Sequence, residues 1–313
     1  HVVEGGAVVF PHLPAIPFDP YRPHLYEQGE LLAGWVPGQS ESFDEDALDS
    51  RIYQWSARHP KGEPLPVLDA LARRLHDHAV DDALGTHLRD HPEVVAVMGG
   101  HSMKRTDPAF RTVADLGRAM AREGWHVATG GGPGAMEAAN LGAWLAPHPD
   151  ESLDEALDLL SAELDYARAD AYLRAGQAVL DRFTDGAESL AVPTWFYGHE
   201  PTNQFATHVA KYFANSIRED GLLAIATRGV VFAPGAAGTT QEVFQDATQN
   251  HYAVFGTASP MVFLDRTFWN ETLPAEPLLR TLAGDRPYGA LIGAADTADE
   301  AMTFLREHPT VEA

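Results

Sequence analysis

The sequence predicts an α/β protein with a doubly wound parallel sheet and helices on both of its faces. From residue 93 onwards, short apolar runs alternate with segments of helical periodicity. Two of these runs end in glycine-rich loops that lead into helices, as the strand–loop–helix units of parallel sheets do. An N-terminal, mostly helical extension and an acidic helical insertion complete the predicted architecture.

Residues 1–90 form the predicted N-terminal arm and helices. The beginning is rich in Pro and His, whereas Leu68, Leu71 and Leu75 recur at helical spacing further on. The tripeptide His-Asp-His at 76–78 could hold a metal, but two histidines two positions apart do not share a helix face. We therefore interpret it as solvated surface, and we predict no metal site.

Residues 91–313 form the predicted main domain, which is Rossmann-like. EVVAVMGG is a short apolar run that ends in glycines, as buried parallel strands often do, and WHVATGGG is a second one. The helix between them is DPAFRTVADLGRAMAREG, with an Asp-Pro start and a Gly stop. GAMEAANLGAWLA follows as the second helix.

The acidic insertion spans residues 150–188, where eleven Asp or Glu residues accompany three Arg. Its leucines recur at helical spacing, so we expect a solvated helical insertion or lid. These leucines are Leu153, Leu157, Leu160 and Leu164.

The second half of the domain continues the alternation. SLAVPTWFYGHE resumes the strands, and we predict a long helix over NQFATHVAKYFANSIREDGLLAIAT, with a break at Gly221 left open. GVVFAPGAAGT is a buried strand that runs into the second glycine loop, and a helix follows from about Thr240. PMVFLD and YGALIGA are the last predicted strands. The closing helix begins at Thr297, where Glu300 completes a capping box.

Charge and composition exclude several classes of function. Acidic residues outnumber basic ones by 45 to 22, and the formal charge of −23 repels nucleic acid. No apolar run approaches the roughly 18–20 residues that a membrane helix needs, so no membrane partner is expected. The chain has no cysteine, which excludes disulfides and thiol chemistry and makes the cytoplasm the expected location.

The two glycine loops are TGGGPGAMEAANLGA at 129–143 and APGAAGTTQE at 233–242. Each follows a strand and opens a helix, whose first-turn N–H groups and dipole attract an anion without any basic side chain. The first loop fits the dinucleotide pattern weakly, because it follows the second strand and no acidic residue ends a strand about 20 positions later. A tight turn alone would explain one such loop, but two loops on one sheet favour a ligand.

Together these loops resemble the two signatures of the Lonely Guy (LOG) phosphoribohydrolases and related nucleotide 5′-monophosphate nucleosidases. The second loop matches the family's PGGxGTxxE with five residues in register: Pro234, Gly235, Gly238, Thr239 and Glu242. Ala236 replaces the second glycine, and its methyl group requires a negative φ or a slightly altered loop. VMGGHS, YGHEPTNQF and NSIREDGLL are similar to three further segments of the family.

The resemblance implies a set of site residues. Glu242 would be catalytic near the ribose, and Arg218 would bind a substrate oxygen or help the leaving group. The alternatives are a surface glutamate at 242 and an ion pair of Arg218 with Glu219 or Asp220. Substrate and phosphate would be bound by Gly100, Ser102, Gly131, Gly132, Gly134, Glu137, Asn203, Gly235, Ala236, Ala237, Gly238 and Thr239.

The implied activity is hydrolysis of the N-glycosidic bond of a nucleoside 5′-monophosphate to free base and ribose 5-phosphate. An AMP-like nucleotide is the implied small-molecule partner, and the family implies a homodimer or higher homo-oligomer. No cofactor is expected, because pyridoxal phosphate needs a Schiff-base lysine and only Lys104 lies near a strand end. The alternative function is a non-catalytic nucleotide- or cofactor-binding carrier on the same fold.

Overall fold

A computed structural model describes residues 15–59 and 62–312. The predicted N-terminal arm falls in part on residues 1–14, which lie outside the described residues. Within the described part of the chain, seven strands form one parallel sheet, and two more form an antiparallel ribbon. The strands are β1 (Val94–Met98), β2 (His126–Thr129), β3 (Leu190–Ala191), β4 (His208–Val209), β5 (Gly229–Phe232), β6 (Thr257–Ala258), β7 (Met261–Leu264), β8 (Ile292–Ala295) and β9 (Val311–Glu312).

Helices surround this sheet. They are α1 (Gln28–Leu31), α2 (Ser40–Glu45), α3 (Leu48–Ala57), α4 (Val67–Asp90), α5 (Pro108–Arg122), α6 (Ala135–Trp144), α7 (Ser152–Leu160), α8 (Ala169–Arg182), α9 (Asn215–Ala224), α10 (Ala237–Tyr252), α11 (Ala275–Ala283) and α12 (Ala298–Glu307). A π-helical turn (Phe268–Thr272) and a 3₁₀ turn (Pro287–Leu291) lie near the C-terminus. Every helix among the described residues is too short or too polar to cross a membrane.

The residues of β1 explain why the sheet is covered on both faces. Val94, Ala96 and Met98 belong to one buried cluster, and Val95 and Val97 belong to another. A strand with two apolar faces is stable only between two layers. One layer contains α5, α6, α7, α8 and α12, and the other contains α9, α10 and α11 together with α3 and α4. The predicted doubly wound α/β fold is confirmed, and N-terminal helices form part of one layer.

The prediction of one long helix over 203–227 is wrong. The segment contains β4, which begins at His208, and α9 begins only at Asn215. Tyr26 N–H donates to the Val209 carbonyl at 3.0 Å, and Val209 N–H donates to the Tyr26 carbonyl at 2.7 Å. These distant partners satisfy the backbone in an extended conformation, which outweighs the local helical pattern.

The acidic insertion is helical, as predicted, but α7 ends at Leu160, before the last leucine of the predicted pattern. Leu153 and Leu160 are buried in α7, whereas Leu164 lies in the turn before α8 and is 36% exposed. Tyr172 and Leu173 of α8 are buried as well. The insertion therefore contributes to the core and is not only a solvated surface.

The interpretation of the His-Asp-His tripeptide as solvated surface is wrong for its first two residues. His76 and Asp77 are buried in α4, while the side chain of His78 is 75% exposed. His76 Nε2 lies 2.8 Å from the Tyr26 hydroxyl. The Asp77 carboxylate accepts two successive backbone N–H groups just before α9, each at 2.9 Å. Tertiary contacts with distant segments bury these polar groups, and local spacing cannot reveal such contacts.

The strand order positions the site. It runs β4-β3-β2-β1-β5-β7-β8, so β1 has β2 on one side and β5 on the other. The winding reverses at β1, and sheets of this topology leave a crevice there at the carboxyl ends of the strands. The loops that follow β1, β2 and β5 all reach this crevice.

Candidate functional site

A cavity of about 670 Å³ lies at the carboxyl ends of the central strands. Both glycine loops line it, together with the segment that follows β3 and residues of α9 and α10. Its wall includes ten of the predicted site residues: Gly100, Gly131, Gly132, Asn203, Arg218, Ala236, Ala237, Gly238, Thr239 and Glu242. The fold thus brings both loops and both predicted catalytic residues to one place.

The first loop, which follows β2, depends on glycine for its shape. Gly131 and Gly132 have φ angles of 113° and 135°, a region that L side chains rarely adopt. A Cβ at Gly130 would collide with the guanidinium group of Arg218. The loop therefore lets the Arg218 side chain lie directly against its backbone.

The second loop, which follows β5, offers donors to an anion. The methyl group of Ala236 requires either a negative φ or an altered loop, and the structure shows a φ of −107°. Helix α10 begins at Ala237, and the N–H groups of its first turn have no partner within the helix. The Thr239 side chain lies so close to Gly235 that a Cβ there would collide with its hydroxyl. Such a helix start is suited to bind a phosphate.

Arg218 and Glu242 form a buried ion pair on the cavity wall. Arg218 Nη1 lies 2.9 Å from Glu242 Oε1, and the two residues are 9% and 8% exposed. Arg218 Nε also donates to the Val192 carbonyl at 2.9 Å, and Nη2 reaches the Gly130 carbonyl at 3.5 Å. Arg218 thus pairs with Glu242 rather than with its acidic neighbours in sequence, and it connects the two loops.

The environment of Glu242 makes its carboxylate a stronger base than an exposed one. Burial raises the pKa of Glu242, and the charge of Arg218 offsets only part of this effect. Among the described residues, hydrogen bonds reach Oε1 of this carboxylate and leave Oε2 available. A carboxylate with a raised pKa accepts a proton more readily at neutral pH.

Asn203 holds the first loop in place. Its Nδ2 donates to the Gly131 carbonyl at 2.5 Å and to Asn140 Oδ1 at 2.9 Å. Asn140 Oδ1 also accepts the Thr129 hydroxyl at 2.7 Å. All of these side chains are buried. Asn203 therefore contributes to the cavity mainly by fixing the loop backbone.

Four predicted site residues are off the cavity wall: Ser102, Gly134, Glu137 and Gly235. Glu137 is 4% exposed, and its Oε1 lies 2.5 Å from Arg105 Nη2. The Tyr172 hydroxyl donates to the other oxygen of the same carboxylate. Both carboxylate oxygens of Glu137 therefore accept hydrogen bonds within the protein, and the residue joins α6 to the acidic insertion. Ser102 lines a neighbouring cavity of about 560 Å³ together with Arg105 and Tyr172.

Sequence reasoning missed a buried cation on the cavity wall. Lys211, one of three lysines in the chain, is 6% exposed, and its Nζ lies 2.8 Å from Asp49 Oδ1. Asp49 also accepts Trp195 Nε1–H at 2.7 Å and the Thr202 hydroxyl at 3.0 Å. Burial alone would raise the pKa of Asp49, but Lys211, His199 and the Trp195 N–H hold this pKa below its ordinary value. The scarcity of lysine was the one sequence signal that could have singled out Lys211.

Fold and site together define the class of the protein: an α/β protein whose glycine loops meet at the switch point of a parallel sheet, as in nucleotide- and cofactor-binding folds. Residues 92–146 match the family model LDcluster4, described as the SLOG cluster4 family. These residues extend from β1 through the first glycine loop and α6. The SLOG superfamily includes the LOG family, so this match supports the resemblance drawn from the loops.

Remote similarities link the chain to several solved structures. The molybdenum cofactor binding protein of the phototrophic bacterium Rippkaea orientalis is 16% identical, with a TM-score of 0.44 over 68% of this chain and 95% of that chain. The molybdenum cofactor carrier protein of Chlamydomonas reinhardtii is 17% identical, with a TM-score of 0.42 over 68% and 96%. The protein TM1055 is 19% identical, with a TM-score of 0.44 over 69% and 99%.

No curated protein matches the chain significantly.

Proposed function

We propose that the protein hydrolyses the N-glycosidic bond of an AMP-like nucleoside 5′-monophosphate to free base and ribose 5-phosphate. The observation that carries the proposal is the buried Arg218–Glu242 ion pair, which lies on the wall of a cavity between two glycine loops. A cavity of about 670 Å³ is in the range of small-molecule sites and accommodates a mononucleotide.

The second loop provides the proposed phosphate site. Residues 235–239 offer the first-turn N–H groups of α10 and the Thr239 hydroxyl, and both kinds of donor suit phosphate oxygens. Backbone donors matter in a chain with a net charge of −23, because they bind an anion locally against a repulsive general field. Gly100, Gly131 and Gly132 line the remaining part of the proposed nucleotide site.

Glu242 is the proposed general base. The bond between C1′ and the base nitrogen breaks as positive charge develops on the ribose, and the carboxylate stabilises this charge. Oε2 accepts a proton from a water molecule whose oxygen bonds to C1′. The base leaves with the electron pair of the broken bond and takes up a proton, so one water is consumed overall. Arg218 orients the carboxylate through Oε1 and offers its remaining N–H groups to a substrate oxygen.

The decisive experiment is turnover of a panel of nucleoside 5′-monophosphates, with free base and ribose 5-phosphate measured by chromatography. We expect release of base that requires the 5′-phosphate, with AMP among the substrates. Glu242→Gln should lower kcat by about a hundredfold or more, because it removes the proton acceptor and keeps the side-chain shape.

Glu276→Gln is the matched control. Glu276 is also a buried glutamate in an ion pair, 2.5 Å from Arg280, but it lies outside the cavity wall. Its variant should retain turnover. Nucleotide binding without any release of base by the native protein would support the alternative function of a non-catalytic carrier. Full activity of Glu242→Gln would contradict the assignment of the base.

A further inference from the structure

Four histidine rings meet at the edge of the sheet that lies opposite the cavity. His87 and His91 are at the C-terminal end of α4, His126 is the first residue of β2, and His208 is the first residue of β4. Ring centroids are 4.2 Å apart for His91 and His126, and 4.4 Å apart for His87 and His208. The fold alone brings these rings together, since they come from three separate segments.

The nitrogen atoms of three of these histidines lie as close together as metal ligands do. His87 Nε2 and His126 Nε2 are 3.0 Å apart. Ligand nitrogens of His87, His91 and His126 all lie within 4.8 Å of one another. Two imidazoles bound to one tetrahedral zinc at about 2.0–2.1 Å have nitrogens roughly 3.3 Å apart. The three nitrogens are therefore close enough together to share one ion.

The ligand type also suits a metal, because imidazole nitrogen is a common metal ligand in proteins.

Neighbouring groups orient two of the rings. The Thr207 hydroxyl lies 3.0 Å from His208 Nδ1 and orients this ring beside His87. Glu188, just before β3, has its Oε2 3.2 Å from His91 Nε2 and offers a carboxylate at the border of the cluster. Such partners typically fix the orientation of metal-binding histidines. His87, His91 and His208 are half-buried, so an ion can reach the cluster from solvent.

We propose that His87, His91 and His126 bind one zinc ion, which fastens the end of α4 to the amino end of β2, while the His208 ring packs against His87. An imidazole-rich set favours zinc over magnesium or calcium, which prefer oxygen ligands. The site lies at the opposite end of the strands from the glycine loops, so it is structural and independent of the proposed hydrolysis. It replaces the prediction of no metal site, which rested on spacing within single segments.

The test uses tag-free protein that has been treated with a chelator, then dialysed against zinc and measured for metal content. We expect one zinc per chain and a higher Tm with zinc than without it. Cobalt(II) should give the visible absorption of a tetrahedral site and should be displaced by zinc. An unchanged Tm together with no retained metal in the native protein would overturn the proposal.

Variants locate the site. His91→Ala, at a half-buried helix end, should leave the Tm of the metal-free protein nearly unchanged and weaken zinc binding by at least about tenfold. His78→Ala, which removes an exposed histidine from the same helix, should bind zinc like the native protein. Equal affinity in His91→Ala and His78→Ala would place any bound zinc elsewhere and overturn the assignment.

Discussion

At the scale of single residues, the Glu242 carboxyl decides the pH dependence of the proposed reaction. Burial raises its pKa, and Arg218 offsets part of the effect. A general base works in its deprotonated form, so activity is present above the pKa and is lost as the pH falls through it. We expect the acid limb of kcat/KM for AMP to lie above the ordinary glutamate value of about 4.3.

Arg218→Gln tests the cause of this limb. Arg218 lowers the pKa of Glu242, so its removal should move the limb to higher pH in addition to reducing activity. Glu276→Gln, outside the cavity wall, should leave the limb in place. A limb near pH 4.3 that Arg218→Gln does not move would rule out Glu242 as the titrating group.

The site residues differ in how far the sequence could predict them. The loops were recognisable because glycines and a helix start are local features, and Arg218 and Glu242 indeed meet between them. Lys211 and Asp49 were missed because their contact joins residues 162 positions apart. Glu137 lies on the predicted helix, yet Arg105 and Tyr172 occupy it, and no local pattern reveals such partners.

At the scale of elements, α5 and α6 pack unusually closely because each presents a glycine to the other. A Cβ at Gly142 of α6 would collide with the Ala114 carbonyl of α5. A Cβ at Gly117 of α5 would collide with the Ala139 carbonyl of α6. Gly142→Ala should therefore destabilise the protein by about 1–3 kcal/mol, because an added methyl group forces the two helices apart. Urea unfolding measures the loss.

Gly85→Ala is the control for this change. Gly85 is an exposed glycine inside α4, and a Cβ there meets nothing within 4 Å. Alanine favours the helix at such a position by up to about 1 kcal/mol, so this variant should be at least as stable as the native protein. Similar losses in both variants would show that close helix contact is not the reason for Gly142.

Elements with strong local signals were predictable, and those made by distant contacts were not. The closing helix begins as predicted, since Thr297 Oγ1 accepts the Glu300 N–H at 3.2 Å. In a capping box the Glu300 carboxylate would accept the backbone N–H of Thr297. Here it accepts the N–H of Asp296 instead. β4 has two residues and no apolar run of its own, and it exists because β3 and Tyr26 pair with it. A strand defined by its neighbours leaves no periodicity to detect.

At the scale of the whole molecule, the N-terminal helices and the sheet are joined by buried charges. Asp49 is the second residue of α3. Its partner Lys211 follows β4 and lines the cavity. Trp195 and Thr202 donate to the same carboxylate. The contact therefore couples the placement of the N-terminal region to the shape of the site, and removing one charge leaves the other buried without a partner.

Asp49→Asn should consequently lower the free energy of unfolding by about 3–5 kcal/mol at pH 7, measured in urea. Since the pKa of Asp49 is lowered in the folded state, its stabilisation is present above the unfolded value of about 3.9 and is lost as the pH falls through the folded pKa. The difference between variant and native protein should accordingly shrink in acid. Glu155→Gln, which breaks an exposed pair with Arg182, should change stability little at either pH. If Asp49→Asn behaves like Glu155→Gln, the buried Asp49–Lys211 pair does not help to hold the N-terminal helices on the sheet.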